Sequence, residues 1–93
     1  MDELSNKAND SIRAGQWDEA ERLCRKLREQ FPEEIDADDR LAQLYQAQKN
    51  YVKALPHAQA ALEKARRSPE KFAPELGEEL EEQVAYLKKK AGA

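Results

Sequence analysis

The sequence predicts an all-α protein: five helices, arranged as antiparallel hairpins stacked into an α-solenoid. Three observations carry this. Apolar residues recur at steps of three and four along most of the chain, the spacing that lines one face of a helix. No useful stretch alternates apolar with polar as a half-buried strand does. Small and aromatic positions also recur at a constant stride of 34, so the plan repeats.

The elements follow in order. Leu4, Ala8 and Ile12 form a narrow stripe on a helix over about 3–14, and Gly15-Gln16 supplies the turn after it. Trp17, Ala20, Leu23, Cys24, Leu27 and Phe31 stripe the second helix, which Pro32 stops. Leu41, Ala42, Leu44 and Tyr45 mark a third helix over about 36–48. Asn50 is the N-cap of the fourth, whose stripe is Tyr51, Ala54, Leu55, Ala58, Ala61, Leu62 and Ala65. Pro56 falls early in that helix, where one lost backbone bond and a slight kink are tolerable. The last helix carries Leu76, Leu80, Val84 and Leu87 on one edge, with Glu75, Glu78 and Glu79 near its start and Lys88, Lys89 and Lys90 near its end, as the helix dipole favours. Pro74 is its better first residue, because a start at Ser68-Pro69 leaves Pro74 inside the helix.

The stride of 34 links Ala8 with Ala42, Ser11 with Tyr45, Trp17 with Tyr51, Ala20 with Ala54 and Cys24 with Ala58. Two helices per unit at that spacing is the signature of a helical solenoid. On Ala8, Gly15, Trp17, Ala20, Leu27 and Pro32 in the first unit, and Leu41, Ala42, Tyr45, Tyr51, Ala54 and Ala61 in the second, the chain resembles the tetratricopeptide repeat family. The resemblance implies a right-handed solenoid, with small residues where paired helices touch and aromatics where they wedge apart. Lys7, Ser11 and Arg66 depart from the pattern, standing where the family prefers a leucine, an aromatic and a proline. The first helix is therefore the weakest element. After Ser68 the stride slips to 35, linking Leu41, Ala42 and Tyr45 with Leu76, Gly77 and Leu80. The expected organisation is a single domain over 1–93: one repeat over 1–34, a second over 35–68, and a solvating capping helix over about 70–90.

Composition narrows the function. Charged residues are 38% of the chain, against about 25% in a typical protein. With only three glycines and four prolines, that favours long, solvated helices. A net charge of −3 argues against a nucleic-acid partner, and no apolar run reaches the roughly 20 residues that a membrane span needs. One cysteine and an acidic start, MDELSNKAND, without the features of a signal peptide fit a reduced, cytoplasmic protein.

No catalytic constellation emerges. Trp17 and Cys24 stand two helical turns apart and are expected to face the same seam as packing residues. Cys24 is mid-helix and is replaced by alanine one repeat later, which suits a small apolar slot rather than a nucleophile. His57 is the only histidine and reads as a surface residue, so no metal, cofactor or Cys-His chemistry is expected. Arg22, Arg25, Lys26 and Arg28, and later Lys64, Arg66 and Arg67, interleave with acids and read as solvated faces. The expectation is a non-enzyme.

The resemblance also implies that the first helix of each unit lines a concave groove. Asp2, Ser5, Asn9, Ile12 and Arg13 fall there, then Asp36, Asp39, Arg40, Gln43 and Gln46, then Lys71, Glu75, Glu78 and Glu82. Members that clamp the C-terminal carboxylate of heat-shock chaperones use lysine and asparagine, then asparagine, then lysine and arginine. Here those places hold Ser5 and Asn9, Arg40, then Lys71 and Glu75, so that activity is not carried over. The acidic groove favours a basic or polar segment of another protein, with Asn9, Arg13, Asp36, Asp39, Arg40, Gln43, Gln46, Glu75 and Glu78 as contacts. The alternative is self-association into homo-oligomers through the terminal helices, if Val84, Tyr86 and Leu87 leave an apolar edge uncovered.

Overall fold

A computed structural model describes residues 2–92. Five α-helices account for about four-fifths of them: α1 (Asp2–Arg13), α2 (Trp17–Gln30), α3 (Asp36–Ala47), α4 (Tyr51–Arg67) and α5 (Pro74–Gly92). No strand occurs among the described residues. The fold is all-α and tetratricopeptide-like in its plan. α1 packs on α2, α3 on α4, and α2 on α3, while α1 also touches α3 directly. α5 packs on α4 and makes no comparably close backbone approach to α3. The molecule measures 34 × 31 × 17 Å, so it is a slab about two helices thick.

The two hairpin turns are built alike. Gly15 has φ 74° and Lys49, one stride later, has φ 60°. In the first turn Gly15 N–H donates to the Ile12 carbonyl (3.1 Å) and Gln16 N–H to the Ser11 carbonyl (2.9 Å). In the second, Lys49 N–H donates to Gln46 (2.9 Å) and Asn50 N–H to Tyr45 (2.8 Å). Both are Schellman caps, which satisfy the last carbonyls of a helix through a left-handed residue. Asn50 then starts α4 by accepting the Lys53 N–H at 3.3 Å. Pro56 lies inside α4, and the carbonyl it leaves without a donor belongs to Val52, an exposed residue.

Packing falls into three clusters. Ala8, Ile12, Ala20, Leu23, Cys24 and Leu27 of the first hairpin bury against Ala37, Leu41 and Leu44 of α3. Ala42, Ala54 and Ala58 join Val84 and Leu87 of α5. Ile35, Ala61, Ala65 and Leu80 form the third, with Phe72 and Leu76 against them. The alanines let helix axes approach closely, and leucines and tyrosines fill the space between. Each cluster crosses from one hairpin to the next, so neighbours bury each other.

Charge also sets the geometry. Asp38 is buried, and its carboxylate meets Arg28 of α2 at 3.1 Å and Lys64 of α4 at 2.7 Å. Lys64 Nζ donates to the Pro32 carbonyl at 3.2 Å as well, pinning the loop between the hairpins. Arg28 and Lys64 are thus ligands of one buried carboxylate, which corrects their reading as members of solvated runs. Lys71 pairs with Glu34 of the same loop at 2.8 Å.

Candidate functional site

The expected site residues begin on α1, where Asn9 is half-buried and Arg13 exposed. On α3, Asp36, Asp39, Arg40, Gln43 and Gln46 are all half-buried. Glu75 and Glu78 on α5 are exposed, and Glu78 borders the cleft that holds Arg66 and Glu81. The α3 residues form a connected row. Arg40 Nε donates to Ser5 Oγ of α1 at 3.0 Å, Arg40 Nη1 donates to Gln43 Oε1 at 3.0 Å, and Gln43 Nε2 donates to Asp39 Oδ2 at 3.3 Å. Ser5, itself buried, thereby ties α1 to this face.

Asp36, Asp38 and Asp39 all lie in the first turn of α3, where the helix dipole favours negative charge. They diverge in role because successive residues point 100° apart around the helix. Asp38 turns inward to its two cations. Asp39 is held above the ordinary aspartate pKa, chiefly by burial, with Arg40 opposing the shift and the carboxylates of Asp36 and Glu79 adding to it. Glu79 is therefore the α5 carboxylate whose charge reaches Asp39. Sequence reasoning placed Glu79 only at the helix start, since Glu75, Glu78 and Glu79 differ in face and not in chemistry.

Three expectations need correction. Trp17 does not share an interior wall with Cys24: Cys24 is fully buried, but Trp17 is 37% exposed. Its counterpart Tyr51 is half-buried under Tyr86 of α5, the rings meeting edge to face at 6.4 Å. α5 is 19 residues long and reaches that far, whereas α3 stops after 12 and leaves Trp17 open. His57 is not a free surface residue. It stacks on Tyr45 at 5.6 Å with its pKa lowered, first by burial and then by the charge of Arg28, with Asp38 opposing. Finally, Val84 and Leu87 are buried against α4, so of the three residues proposed for an uncovered apolar edge only Tyr86 is exposed.

Burial pushes the Cys24 thiol up to about 11, which keeps it protonated and unreactive at neutral pH. No group of three or more His, Cys, Asp or Glu side chains is placed to hold a metal ion among the described residues. No helix there is long and apolar enough to cross a membrane.

Paired helices at a stride of 34, Schellman turns at equivalent places and alanine contacts inside each pair define a repeat. A family model described as tetratricopeptide repeat matches residues 11–72, more than half of the chain. The chain belongs to the tetratricopeptide repeat family. No curated protein and no solved structure matches it. Tetratricopeptide repeats generally mediate protein–protein interaction as modules without catalysis.

Proposed function

We propose that this tetratricopeptide repeat protein is a non-catalytic adaptor that holds a basic or polar segment of another protein along the face shared by α1, α3 and α5. The units of that reading are a repeat over residues 1–34, a second over 35–68, and α5 as a cap. One observation carries it: Asp39 is half-buried, its pKa raised first by burial and then by the carboxylates of Asp36 and Glu79, and Arg40, the cation that opposes the shift, is already committed to Ser5 and Gln43. A lysine or arginine from outside compensates the half-buried charge, and Asp36 and Glu79 stand ready to share it. Asn9, Gln43 and Gln46 add hydrogen-bonding groups along the same row, with Arg13 and Glu75 at its ends. A single buried thiol suits a reducing compartment, and the cytoplasm is the location we propose.

The test is fluorescence anisotropy with a labelled lysine- and arginine-rich peptide and an acidic control. Binding of the basic peptide is expected to weaken as salt rises. The double substitution Asp36→Lys, Asp39→Lys is expected to abolish it. Equal binding of both peptides, or affinity indifferent to salt and to the double substitution, sinks the proposal.

A further inference from the structure

α5 has an open side where its counterparts do not. α1 pairs with α2 and α3 with α4, and the small residues at the pairing position, Ala8 and Ala42, are fully buried. Gly77 occupies that position in α5, and nothing lies within 4 Å of where its β-carbon would stand. Two clefts of about 290 and 410 Å³ run along this side of α5 beside α4, both bordered by Arg66. Phe72, Leu62 and Val84 supply their apolar lining.

We infer that this groove seats a second copy of the same chain, docked through its own α5 in antiparallel. Charge complementarity names the occupant. The open side carries, in order, Gly77, Glu81, Ala85, Lys88 and Gly92, beside Val84, whose side chain is buried against α4. Turned end for end about a two-fold axis between Val84 and Ala85, the row meets itself. Gly77 then faces the partner's Gly92, Glu81 faces the partner's Lys88, and the exposed Ala85 of each copy lies beside the axis. Each charge meets its opposite and the outermost contacts fall on glycines, so the helices can come close. Inside one chain Glu81 pairs with Arg66 at the rim of the same groove, so the partner's Lys88 completes a network of three charges. An isologous contact of this kind closes at two copies. One helix face with the edge of α4 is a small interface, which makes the dimer a reversible one.

Sedimentation velocity over a concentration series is expected to show a monomer–dimer equilibrium that salt weakens. Lys88→Glu or Glu81→Lys alone sets like charges opposite each other at both ends, and is expected to weaken the dimer about tenfold or more. Mixing the two single variants restores opposite charges across the axis and recovers a mixed dimer, which also shows that both variants fold. Gly77→Leu, whose β-carbon enters open space, keeps or raises helix content by circular dichroism yet blocks the close approach and abolishes the dimer. The Asp36→Lys, Asp39→Lys protein still dimerises, so this test and that of the basic-peptide face fail separately. A protein that stays monomeric at the highest concentration, or a dimer indifferent to the charge reversals or to Gly77→Leu, overturns the inference.

Discussion

Lys49 holds a left-handed backbone with φ 60° where the preceding repeat uses Gly15. A β-carbon in that conformation costs about 1–2 kcal/mol, while glycine gives back about 0.5–1 kcal/mol in unfolded-chain entropy. Lys49→Gly is expected to stabilise the protein by about 0.5–1 kcal/mol and raise its urea midpoint at constant slope; a midpoint lowered by the entropy of glycine alone would show that the turn carries no strain. Asp39 lends itself to a test of opposite logic. Its folded pKa lies above the unfolded value, so its contribution is favourable below the ordinary aspartate range and is lost as pH rises through the folded pKa. At neutral pH the ionised group burdens the fold. Asp39→Asn keeps an oxygen for Gln43, and is expected to raise the melting temperature at pH 7, with the gain shrinking on acidification toward about pH 4. The same change is expected to weaken the basic peptide. A gain in stability beside a loss of binding marks a residue kept for its partner; a lower melting temperature at pH 7 would contradict the assignment.

At the scale of the element, the turns and helix ends were legible because the punctuation is local. Gly15, Pro32, Asn50 and Pro74 act on neighbouring backbone, and the apolar stripes fix faces by period alone. The buried ion triad was not legible, since Asp38 sits between two acids of equal chemistry and its cations arrive from 10 residues before and 26 after it in sequence. Exposure of Trp17 was hidden for a similar reason: it depends on where a helix of the next unit ends. The triad predicts an asymmetry between its cations. Lys64 is 29% exposed at the side chain, lies closer to Asp38 and also holds the Pro32 carbonyl, whereas Arg28 is 51% exposed. Removing Lys64 leaves Asp38 Oδ2 without its cation and the buried carboxylate with Arg28 alone, and is expected to cost up to about 3 kcal/mol; removing the half-solvated arginine is expected to cost about 1 kcal/mol. Urea titrations of Lys64→Met and Arg28→Met measure the difference. Equal losses would mean that the two cations share Asp38 evenly.

For the whole molecule, a slab 17 Å thick has no deep interior, and each hairpin depends on the next for its burial. α1 is the exposed end of that chain of dependence. It touches only α2 and α3, and its buried set is Ser5, Ala8, Ser11 and Ile12, two of them serines. α3 in the same role buries Leu41, Ala42 and Leu44. At about 25 cal/mol per Å² of apolar surface, the serines contribute little to holding α1 down. Its local opening is therefore expected to cost the least of the five helices, and hydrogen exchange followed by mass spectrometry should show α1 amides exchanging before those of α3 and α4. The sequence contains the remedy. Ser11 stands one stride before Tyr45 and borders a cleft of about 430 Å³ with Leu4 and Leu23 on its walls. Ser11→Tyr places a ring in that space, and is expected to slow α1 exchange and add about 1 kcal/mol of stability. Because contacts in a solenoid reach only nearest neighbours, the effect should fade from α1 through α3 and be absent from α5. If all five helices instead exchange together and respond equally to Ser11→Tyr, the protein unfolds as one unit, and the additive picture of its hairpins is wrong.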